Sequence, residues 1–200
     1  MSTFISVNIE FNSFMAYVQP YCYNFFMLYL VRHGQTQANV DVVFSGGRSD
    51  VPLTKVGREQ AYAEGERILR EHIAIDRIIT SPVKRAIHTA EIIAAVIGIE
   101  QEDIKTDKRL VEYDLGELDG KSARGVTARE RVTASGAEDP VAFQRWVMAC
   151  VNDMKKLSGN TLLVSHDAVG RIIRATQLGV DPHDFYEVEK YPNAQIVELG

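Results

Sequence analysis

An apolar run at residues 27–31 leads directly into Arg32, His33 and Gly34, and this junction constrains the fold more than any other feature of the chain. Such a run is typical of a buried strand in a parallel sheet, and open α/β sheets bind ligands at the carboxyl ends of these strands. Gly34 lets a ligand approach the backbone closely. The guanidinium of Arg32 suits a tetrahedral oxyanion, and the imidazole of His33 can attack or donate a proton. Taken alone, the triplet also fits a structural or surface position.

The remainder of the chain alternates strands and helices, which predicts an α/β fold with a mainly parallel sheet and helices on both faces. A polar, glycine-broken stretch at residues 122–138 is a candidate lid. The predicted strands cover residues 27–31, 75–80, 104–106, 161–165 and 195–199. The predicted helices run from Thr54 to Glu71, from Ser81 to Gly98, from Asp139 onwards and from Asp167 onwards. Their predicted buried stripes are Ala61, Gly65, Ile68 and Leu69, then Ala86, Ala90, Ile93 and Ile97, then Phe143, Trp146, Val147, Cys150, Val151 and Met154.

Composition narrows the class of protein. A chain of 200 residues with 46% hydrophobic and 24% charged residues is expected to form one globular domain with a substantial core. The net charge of −5 argues against a nucleic-acid binder or an anionic-membrane binder. No stretch reaches the roughly 18 consecutive apolar residues of a membrane span. Cys22 and Cys150 make no disulfide framework, and Cys150 falls in an apolar helical pattern, so we expect a core cysteine and a reducing, cytoplasmic compartment.

Residues 1–26 differ from the rest of the chain because they are rich in Phe, Tyr, Asn and Ser and carry no Lys or Arg. A secretory signal requires a positively charged first region, so this segment is a poor signal peptide. Because the first strand begins at Met27, we expect residues 1–26 to be an extension outside a domain that spans residues 27–200. The alternative is that the extension adds a strand or helix that packs on the domain.

Three further segments place polar side chains at the ends of predicted elements. Arg85 falls in the first turn of a helix, where its charge and the helix N-terminal amides can face an anion. His166 follows a second apolar strand and so repeats the pattern of His33. Glu112 lies in an acidic, glycine-bearing loop at residues 110–120. Each has an ordinary structural interpretation in isolation, but together they indicate one site.

With these motifs in order, the sequence resembles the histidine phosphatase superfamily, also called the phosphoglycerate mutase-like family. The resemblance covers residues 27–199 and implies a three-layer α/β sandwich. The matching positions are Arg32, His33, Gly34, Thr36, Asn39, Ser45, Gly46, Leu53, Thr54, Gly57, Ser81, Pro82, Arg85, Thr89, Ala90, Leu110, Glu112, Gly116, Gly120, Val164, Ser165 and His166.

The resemblance implies a role for each polar side chain. His33 would be the nucleophile and form a phosphohistidine, with its other ring nitrogen held by a nearby backbone carbonyl. Arg32, Arg85 and His166 would bind the phosphoryl oxygens. Glu112 would protonate the leaving oxygen and then activate water. Further substrate contacts are implied for Asn39, Thr36, Ser45 and Gly46. No metal and no cofactor is implied, because Arg32, Arg85 and His166 supply the positive field that Mg²⁺ supplies elsewhere.

The activity expected from the resemblance is a metal-independent phosphomonoesterase that acts on a small phosphorylated metabolite, as a monomer or homodimer. A cofactor-dependent phosphoglycerate mutase is the alternative within the same fold, although the short insertion after the Glu112 loop disfavours it. A catalytically weak module that binds a phosphorylated ligand is an alternative of another class. Asp167 stands where the family usually has glycine, and its carboxylate would repel a phosphate unless it points away or binds the substrate.

Overall fold

The structure is a computed structural model that describes residues 26–199. The extension predicted at residues 1–26 therefore lies outside the described residues, apart from Phe26, as does Cys22. Within the described range the strands are β1 (Leu28–Arg32), β2 (Arg77–Thr80), β3 (Lys105–Thr106), β4 (Thr161–Ser165) and β5 (Ile196–Glu198). The helices are α1 (Gln37–Asp41), α2 (Lys55–Arg70), α3 (Lys84–Ile97), α4 (Ala128–Thr133), α5 (Pro140–Met154) and α6 (Asp167–Leu178). Short 3₁₀ helices cover Gln101–Asp103, Lys108–Leu110, Gly116–Leu118 and Pro182–Glu187.

The strands form one sheet in the order β3-β2-β4-β1-β5. Strand β4 pairs in parallel with both β1 and β2, β3 pairs in parallel with β2, and β5 is antiparallel to β1. The prediction of a mainly parallel sheet is therefore confirmed. Arg32 lies opposite Ser165 in the β1–β4 pair, so the two strands end side by side. This register brings His33 and His166 to the same edge of the sheet.

Helices cover both faces of the sheet, which confirms the three-layer sandwich. On one face, Leu30 and Leu163 belong to an apolar cluster that also contains buried residues of α5 and α6. On the other face, Val31 and Leu162 belong to a cluster with buried residues of α2 and α3. Neighbouring residues of one strand thus enter different cores, as the alternation of side chains along a strand requires.

Three of the helix boundaries follow the local signals in the sequence. Thr54 precedes α2 and its hydroxyl accepts a hydrogen bond from the backbone of Gly57. Gly98 ends α3 with φ of 80°, a left-handed conformation that glycine adopts without steric cost. Asp139 caps α5, whose first residue is Pro140. The predicted starts and stops at these positions are confirmed.

The predicted start of α3 at Ser81 and Pro82 is wrong. The helix begins at Lys84, and Val83 precedes it with no side-chain cap. The Ser81 hydroxyl lies 2.8 Å from Nε2 of His166, and its approach to the Val83 amide is long, at 3.4 Å. The hydroxyl that the sequence assigns to a helix cap is therefore bonded mainly to a histidine from another strand.

The predicted burial of Leu69 on the apolar face of α2 is also wrong. It is 48% exposed, whereas Ala61, Gly65 and Ile68 on the same helix are buried. Consecutive helix residues point about 100° apart, so a position next to Ile68 turns away from the core unless the apolar face is wide. Helix α2 has a narrow apolar face.

Several elements are shorter than predicted or absent from the prediction. Strand β2 begins at Arg77 and β5 covers Ile196–Glu198, whereas the sequence indicated starts at residues 75 and 195. Helix α1 was not predicted. The polar segment at residues 122–138 contains α4, which begins after Thr127 with a capping box to Glu130.

Two expectations drawn from composition concern Cys150 and membranes. Cys150 is buried in α5, which confirms it as a core residue, and burial raises the pKa of its thiol to about 12. Between residues 26 and 199, the structure contains no helix with the length and apolar character needed to span a bilayer.

The segment after β1 packs directly against the first turn of α2 through two glycines. A Cβ on Gly34 would lie 2.3 Å from the carbonyl oxygen of Gly57, and a Cβ on Gly57 would lie 2.1 Å from the carbonyl oxygen of Gln35. Both distances are far below van der Waals contact, so each position requires a residue without a side chain. This close approach fixes the backbone that carries His33.

We expect Gly57→Ala to lower the free energy of unfolding by about 1–3 kcal/mol, because the added methyl group overpacks a backbone contact. Inside a helix, alanine is favoured over glycine by about 1 kcal/mol. A lowered free energy of unfolding would therefore show that the steric contact outweighs the gain in helix propensity. Urea unfolding followed by circular dichroism measures the change. The control is Ala63→Gly at an exposed position of α2, where only helix propensity is lost. A Gly57→Ala protein as stable as the parent would contradict the prediction.

Candidate active site

His33 is held at the carboxyl end of β1 by backbone contacts on both sides. Its backbone N–H donates to the carbonyl of Ser165 at 2.8 Å, and its backbone carbonyl accepts from the side-chain Nδ2 of Asn193 at 2.7 Å. The following amide, of Gly34, donates to the Thr89 hydroxyl at 3.0 Å. The residue is 4% exposed, so the imidazole is almost enclosed.

The ring contacts of His33 define its tautomer. Nδ1 lies 2.8 Å from the Gly34 carbonyl, so Nδ1 carries the proton and donates it there. Nε2 lies 3.3 Å from Nε of Arg85, and because a guanidinium can only donate, Nε2 must present its lone pair. The carbonyl contact expected from the sequence is thereby confirmed. Burial, followed by the charges of Arg85 and Arg32, lowers the pKa of His33 well below its usual range, so the ring is neutral and nucleophilic.

Arg85 is fully buried near the start of α3, and its guanidinium organises the loop at residues 45–49. Nη1 donates to the carbonyl of Ser49 at 2.6 Å, and Nη2 donates to the carbonyls of Ser45 and Gly46 at 3.2 and 3.3 Å. The position predicted for Arg85 at the helix N-terminus is correct. Its donors are shared between the loop and His33.

Ser45 and Gly46 therefore shape the site through their backbones. The Gly46 amide donates to Oδ1 of Asp119 at 2.8 Å, while its carbonyl accepts from Arg85. The hydroxyl of Ser45 is buried and has no hydrogen-bond partner. A substrate contact from either residue stays a prediction, and the Ser45 hydroxyl is the better placed of the two to make one.

His166 follows β4 and precedes α6. Its ring lies 5.3 Å from the ring of His33, centroid to centroid, at an angle of 65°. Nε2 contacts the Ser81 hydroxyl at 2.8 Å, and Nδ1 is buried without a partner. Burial and the neighbouring charge of Arg85 lower its pKa well below the usual range of histidine. The two strand-end histidines predicted to share a site are thus brought together.

Glu112 points inward, and the N-terminus of α6 holds its carboxylate. Oε1 accepts from the amides of Tyr113 and Ala168 at 2.9 and 3.1 Å, and Oε2 accepts from the amide of Asp167 at 3.2 Å. Burial, and then the charge of Asp167, raise the pKa of Glu112 to about 7, against the opposing charge of Arg85. A carboxyl group of this kind can both donate and accept a proton near neutral pH.

Arg32 and Asp167 form an ion pair at the rim of this cluster. Nη1 of Arg32 lies 3.5 Å from Oδ1 of Asp167 and 3.3 Å from the carbonyl of Tyr191. Oδ2 of Asp167 accepts from Nε of Arg171 at 3.1 Å. The carboxylate that departs from the family pattern is therefore turned towards two arginines.

Thr36 and Asn39 form a helix cap. The Thr36 hydroxyl accepts from the Asn39 amide, and Oδ1 of Asn39 accepts from the Thr36 amide at 3.0 Å, so the two make a capping box for α1. This cap occupies Oδ1 and leaves the side-chain NH₂ group of Asn39 as its hydrogen-bond donor. Their role in substrate binding stays a prediction.

Sequence reasoning missed three residues around the site. The guanidinium groups of Arg131 and Arg171 lie 5.0 and 5.8 Å from the ring centre of Tyr186. Burial, followed by the charges of Glu112 and Asp167, raises the pKa of Tyr186 well above its usual range. The one signal for these residues in the sequence was the separation of four positions between Asp167 and Arg171, which brings the two side chains together on one face of a helix.

Unpartnered polar atoms concentrate around this cluster. Within residues 26–199, five of the six buried side-chain atoms without a hydrogen bond belong to residues in or beside the site. Buried polar groups normally find partners, so such a concentration indicates a site built to receive a polar ligand. These five atoms are Nε of Arg32, Oγ of Ser45, Nε of Arg131, Nδ1 of His166 and Oδ1 of Asp167. Nowhere in the same range do three His, Cys, Asp or Glu side chains form a group able to hold a metal ion.

Comparison with known proteins agrees with this geometry. The model of the histidine phosphatase superfamily (branch 1) matches residues 28–200. A probable phosphoglycerate mutase GpmB from Salmonella choleraesuis is 40% identical over 116 residues, which cover 56% of this chain and 51% of that protein. The matched region thus spans about half the length of such curated relatives.

Solved structures match over most of the chain. YhfR of Bacillus stearothermophilus superposes with a TM-score of 0.74 and 26% identity, covering 86% of this chain and 89% of its own. A mycobacterial glucosyl-3-phosphoglycerate phosphatase, solved in complex with VO3, superposes with a TM-score of 0.71 and 25% identity. The match covers 86% of this chain and 91% of that protein. The α-ribazole phosphatase of Shigella flexneri superposes with a TM-score of 0.71 and 24% identity, and the match covers 86% of this chain and 89% of that protein. At this identity the likeness is one of fold alone.

Proposed function

This chain belongs to the histidine phosphatase superfamily, and from that premise we propose that it is a metal-independent phosphomonoesterase that hydrolyses a small phosphorylated metabolite through a phosphohistidine at His33. The observation that carries the proposal is the Nε2 lone pair of His33, which the Gly34 carbonyl and Arg85 hold in place. A neutral imidazole fixed in this tautomer is a nucleophile that needs no separate base.

In the first step Nε2 of His33 attacks the phosphorus atom, and the bond from phosphorus to the ester oxygen breaks. The imidazole becomes a phosphorylated cation that keeps its proton on Nδ1, where the proton remains hydrogen-bonded to the Gly34 carbonyl. Glu112 gives its proton to the departing oxygen, which leaves as an alcohol. A pKa near 7 allows Glu112 to carry that proton at neutral pH.

In the second step a water molecule attacks the phosphorus atom and the bond from phosphorus to Nε2 breaks. Glu112, now a carboxylate, takes the proton of that water, so inorganic phosphate leaves and His33 returns to its neutral form. The backbone amides of Asp167 and Ala168 at the N-terminus of α6 stabilise the carboxylate between the two steps. One residue therefore serves as acid and then as base.

Arg32, Arg85 and His166 would stabilise the charge on the phosphoryl oxygens. Arg85 keeps its positive charge although it is fully buried, and burial strengthens its effect on a developing negative charge. Arg32 and His166 each keep a buried nitrogen without a partner, at Nε and Nδ1 respectively. These groups are the ones expected to contact the three equatorial oxygens of the transferred group.

The direct test is turnover of p-nitrophenyl phosphate in buffer with EDTA. We propose that phosphate is released at the same rate with and without the chelator. Release that requires an added divalent cation would contradict the metal-independent mechanism. Absence of release from p-nitrophenyl phosphate and from a panel of phosphorylated metabolites would leave the alternative of a weak phospho-ligand binder.

A phosphoglycerate mutase is the second candidate, favoured by the 40% identity to a probable phosphoglycerate mutase. The two activities differ in the fate of the phosphoryl group, which a mutase returns to a sugar acid and a phosphatase gives to water. Incubation with 3-phosphoglycerate and 2,3-bisphosphoglycerate separates them. Faster formation of 2-phosphoglycerate than of inorganic phosphate would establish the mutase.

We expect Arg85→Lys to lower kcat/KM for p-nitrophenyl phosphate by about 10²–10³-fold, as for loss of a preorganised donor at a charged transition state. Lysine keeps the charge but cannot contact His33 and three loop carbonyls at once. The matched control is Lys84→Met, a neighbouring exposed position whose side chain pairs with Asp50 alone among the described residues. A similar loss in both variants would show a general effect of charge.

A further inference from the structure

Two carboxyl groups share the N-terminus of α6. Asp167 is the first residue of this helix, and its backbone amide donates to Oε2 of Glu112 at 3.2 Å. The next amide, of Ala168, donates to Oε1 of Glu112 at 3.1 Å. The side chain of Asp167 therefore belongs to a residue whose own backbone amide contacts the Glu112 carboxylate.

The carboxylate of Asp167 is held in place by ion pairs with two arginines. Arg171, one turn along α6, donates through Nε to Oδ2 at 3.1 Å, and Nη1 of Arg32 lies 3.5 Å from Oδ1. Arg171 is itself fixed, because its Nη1 donates to the carbonyls of Tyr186 and Val188. All three charged side chains are at least four-fifths buried.

We propose that Asp167 is a positioning residue which, by placing a negative charge beside Glu112, favours the acid form of that carboxyl, the form that donates a proton to the leaving oxygen. This inference rests on the proposed function, in which Glu112 acts as the acid. It assigns a purpose to a carboxylate that would otherwise oppose the binding of a phosphate.

The charges around Glu112 support this assignment. Burial, and then the charge of Asp167, raise the pKa of Glu112, whereas Arg85 and Arg32 lower it. Because Arg32 is paired with Asp167, a loss of Asp167 also frees Arg32 to act on Glu112. Both effects of Asp167, its own charge and its pairing with Arg32, act to raise the pKa of Glu112. The groups that face this pair are Arg85 from α3, Arg32 from β1, Arg171 from α6 and Tyr186 from the 3₁₀ helix Pro182–Glu187.

The test is Asp167→Asn, which removes the charge and keeps the shape and the backbone amide. Without the neighbouring charge, Glu112 loses its proton at lower pH, so the alkaline limb of kcat/KM against pH should move down by about 1 pH unit. In Asp167→Glu, which keeps the charge, the alkaline limb of kcat/KM should lie where it does in the parent protein. Should Asp167→Asn fail to fold, Asp167→Ser is the second neutral variant, since serine is well tolerated at helix N-termini.

The shift must act through Glu112. In a Glu112→Gln background, Asp167→Asn should leave the remaining pH profile unchanged, because glutamine does not titrate. The control for net charge is Asp184→Asn, at an exposed aspartate without a side-chain partner among the described residues, which should leave the profile of the parent protein unchanged. An alkaline limb that stays in place in Asp167→Asn, or moves equally in Asp184→Asn, would overturn the proposal.

A measurement without turnover separates this proposal from the proposed function. Carbon-13 NMR of the labelled side-chain carboxyl of Glu112 reports its titration directly. In Asp167→Asn, the midpoint should fall relative to the parent protein even if no phosphate ester is hydrolysed. An unchanged midpoint overturns the role of Asp167, whereas a lowered midpoint without any phosphatase activity overturns only the proposed function.

Discussion

His33→Ala is expected to reduce turnover of p-nitrophenyl phosphate by more than roughly 10⁴-fold, as losses of a catalytic nucleophile do. The Nε2 atom of His33 presents its lone pair at the junction of β1 and β4, beside the guanidinium of Arg85. The overall fold should persist, because the contacts that hold this segment are made by the backbone of His33 and by Gly34.

The covalent intermediate provides the sharper measurement. Rapid quenching with ³²P-labelled substrate should trap label on the wild-type protein in a form that is labile to acid and stable to base, and peptide mapping should place it on His33. His88→Ala, at an exposed histidine of α3, is the matched control and should retain both label and activity. Label on another residue, or full turnover in His33→Ala, would exclude the proposed nucleophile.

Glu112→Gln is expected to have the second-largest effect, and the effect should depend on the leaving group. A general acid typically contributes about 10²–10⁴-fold, and it matters most when the departing alkoxide is basic. Alkyl phosphates should therefore lose most of their rate, whereas p-nitrophenyl phosphate should lose less because its leaving group departs with little help. Below pH 7 the parent enzyme holds the proton on Glu112, so the difference between the two substrate classes should be largest there.

The control for this series is Glu117→Gln in the same loop. The side chain of Glu117 is exposed and, among the described residues, pairs with Lys121 alone. Asp114 is paired with Arg48, so neither carboxylate offers an alternative acid inside the site. Equal losses for good and poor leaving groups would mean that Glu112 supports the N-terminus of α6 and does not transfer a proton.

The sequence was informative where a local pattern determines local structure. The apolar runs that end in His33 and His166 predict two strands, and the parallel arrangement places their ends at one edge. Thr54 and Gly98 mark helix boundaries because their side-chain or backbone properties act within a few residues. The alternation of strands and helices was enough for the layered fold.

The errors arose where a distant residue competes for a group. Ser81 carries a good helix-capping signal, but His166, 85 positions further along, takes its hydroxyl. Leu69 fits a broad helical stripe, yet the actual contact face of α2 ends at Ile68. Arg131 and Tyr186 reach the site through tertiary packing that no short motif encodes. Helix and strand periodicities relate residues that are close in sequence. Residues that are far apart in sequence follow no such repeat, so one sequence does not reveal which of them are in contact.

The position of β4 between β1 and β2 also determines when the site can come into existence. The two earlier strands have no contact with each other in the sheet and are joined only through a strand that begins at Thr161. At ribosomal speeds of about 5–20 residues per second, the nascent chain waits roughly ten seconds with both strand edges unpaired. Such late, long-range pairing is associated with slow folding and exposure to aggregation. In a growing chain of this protein, those edges therefore stay unpaired until β4, in the last fifth of the sequence, emerges.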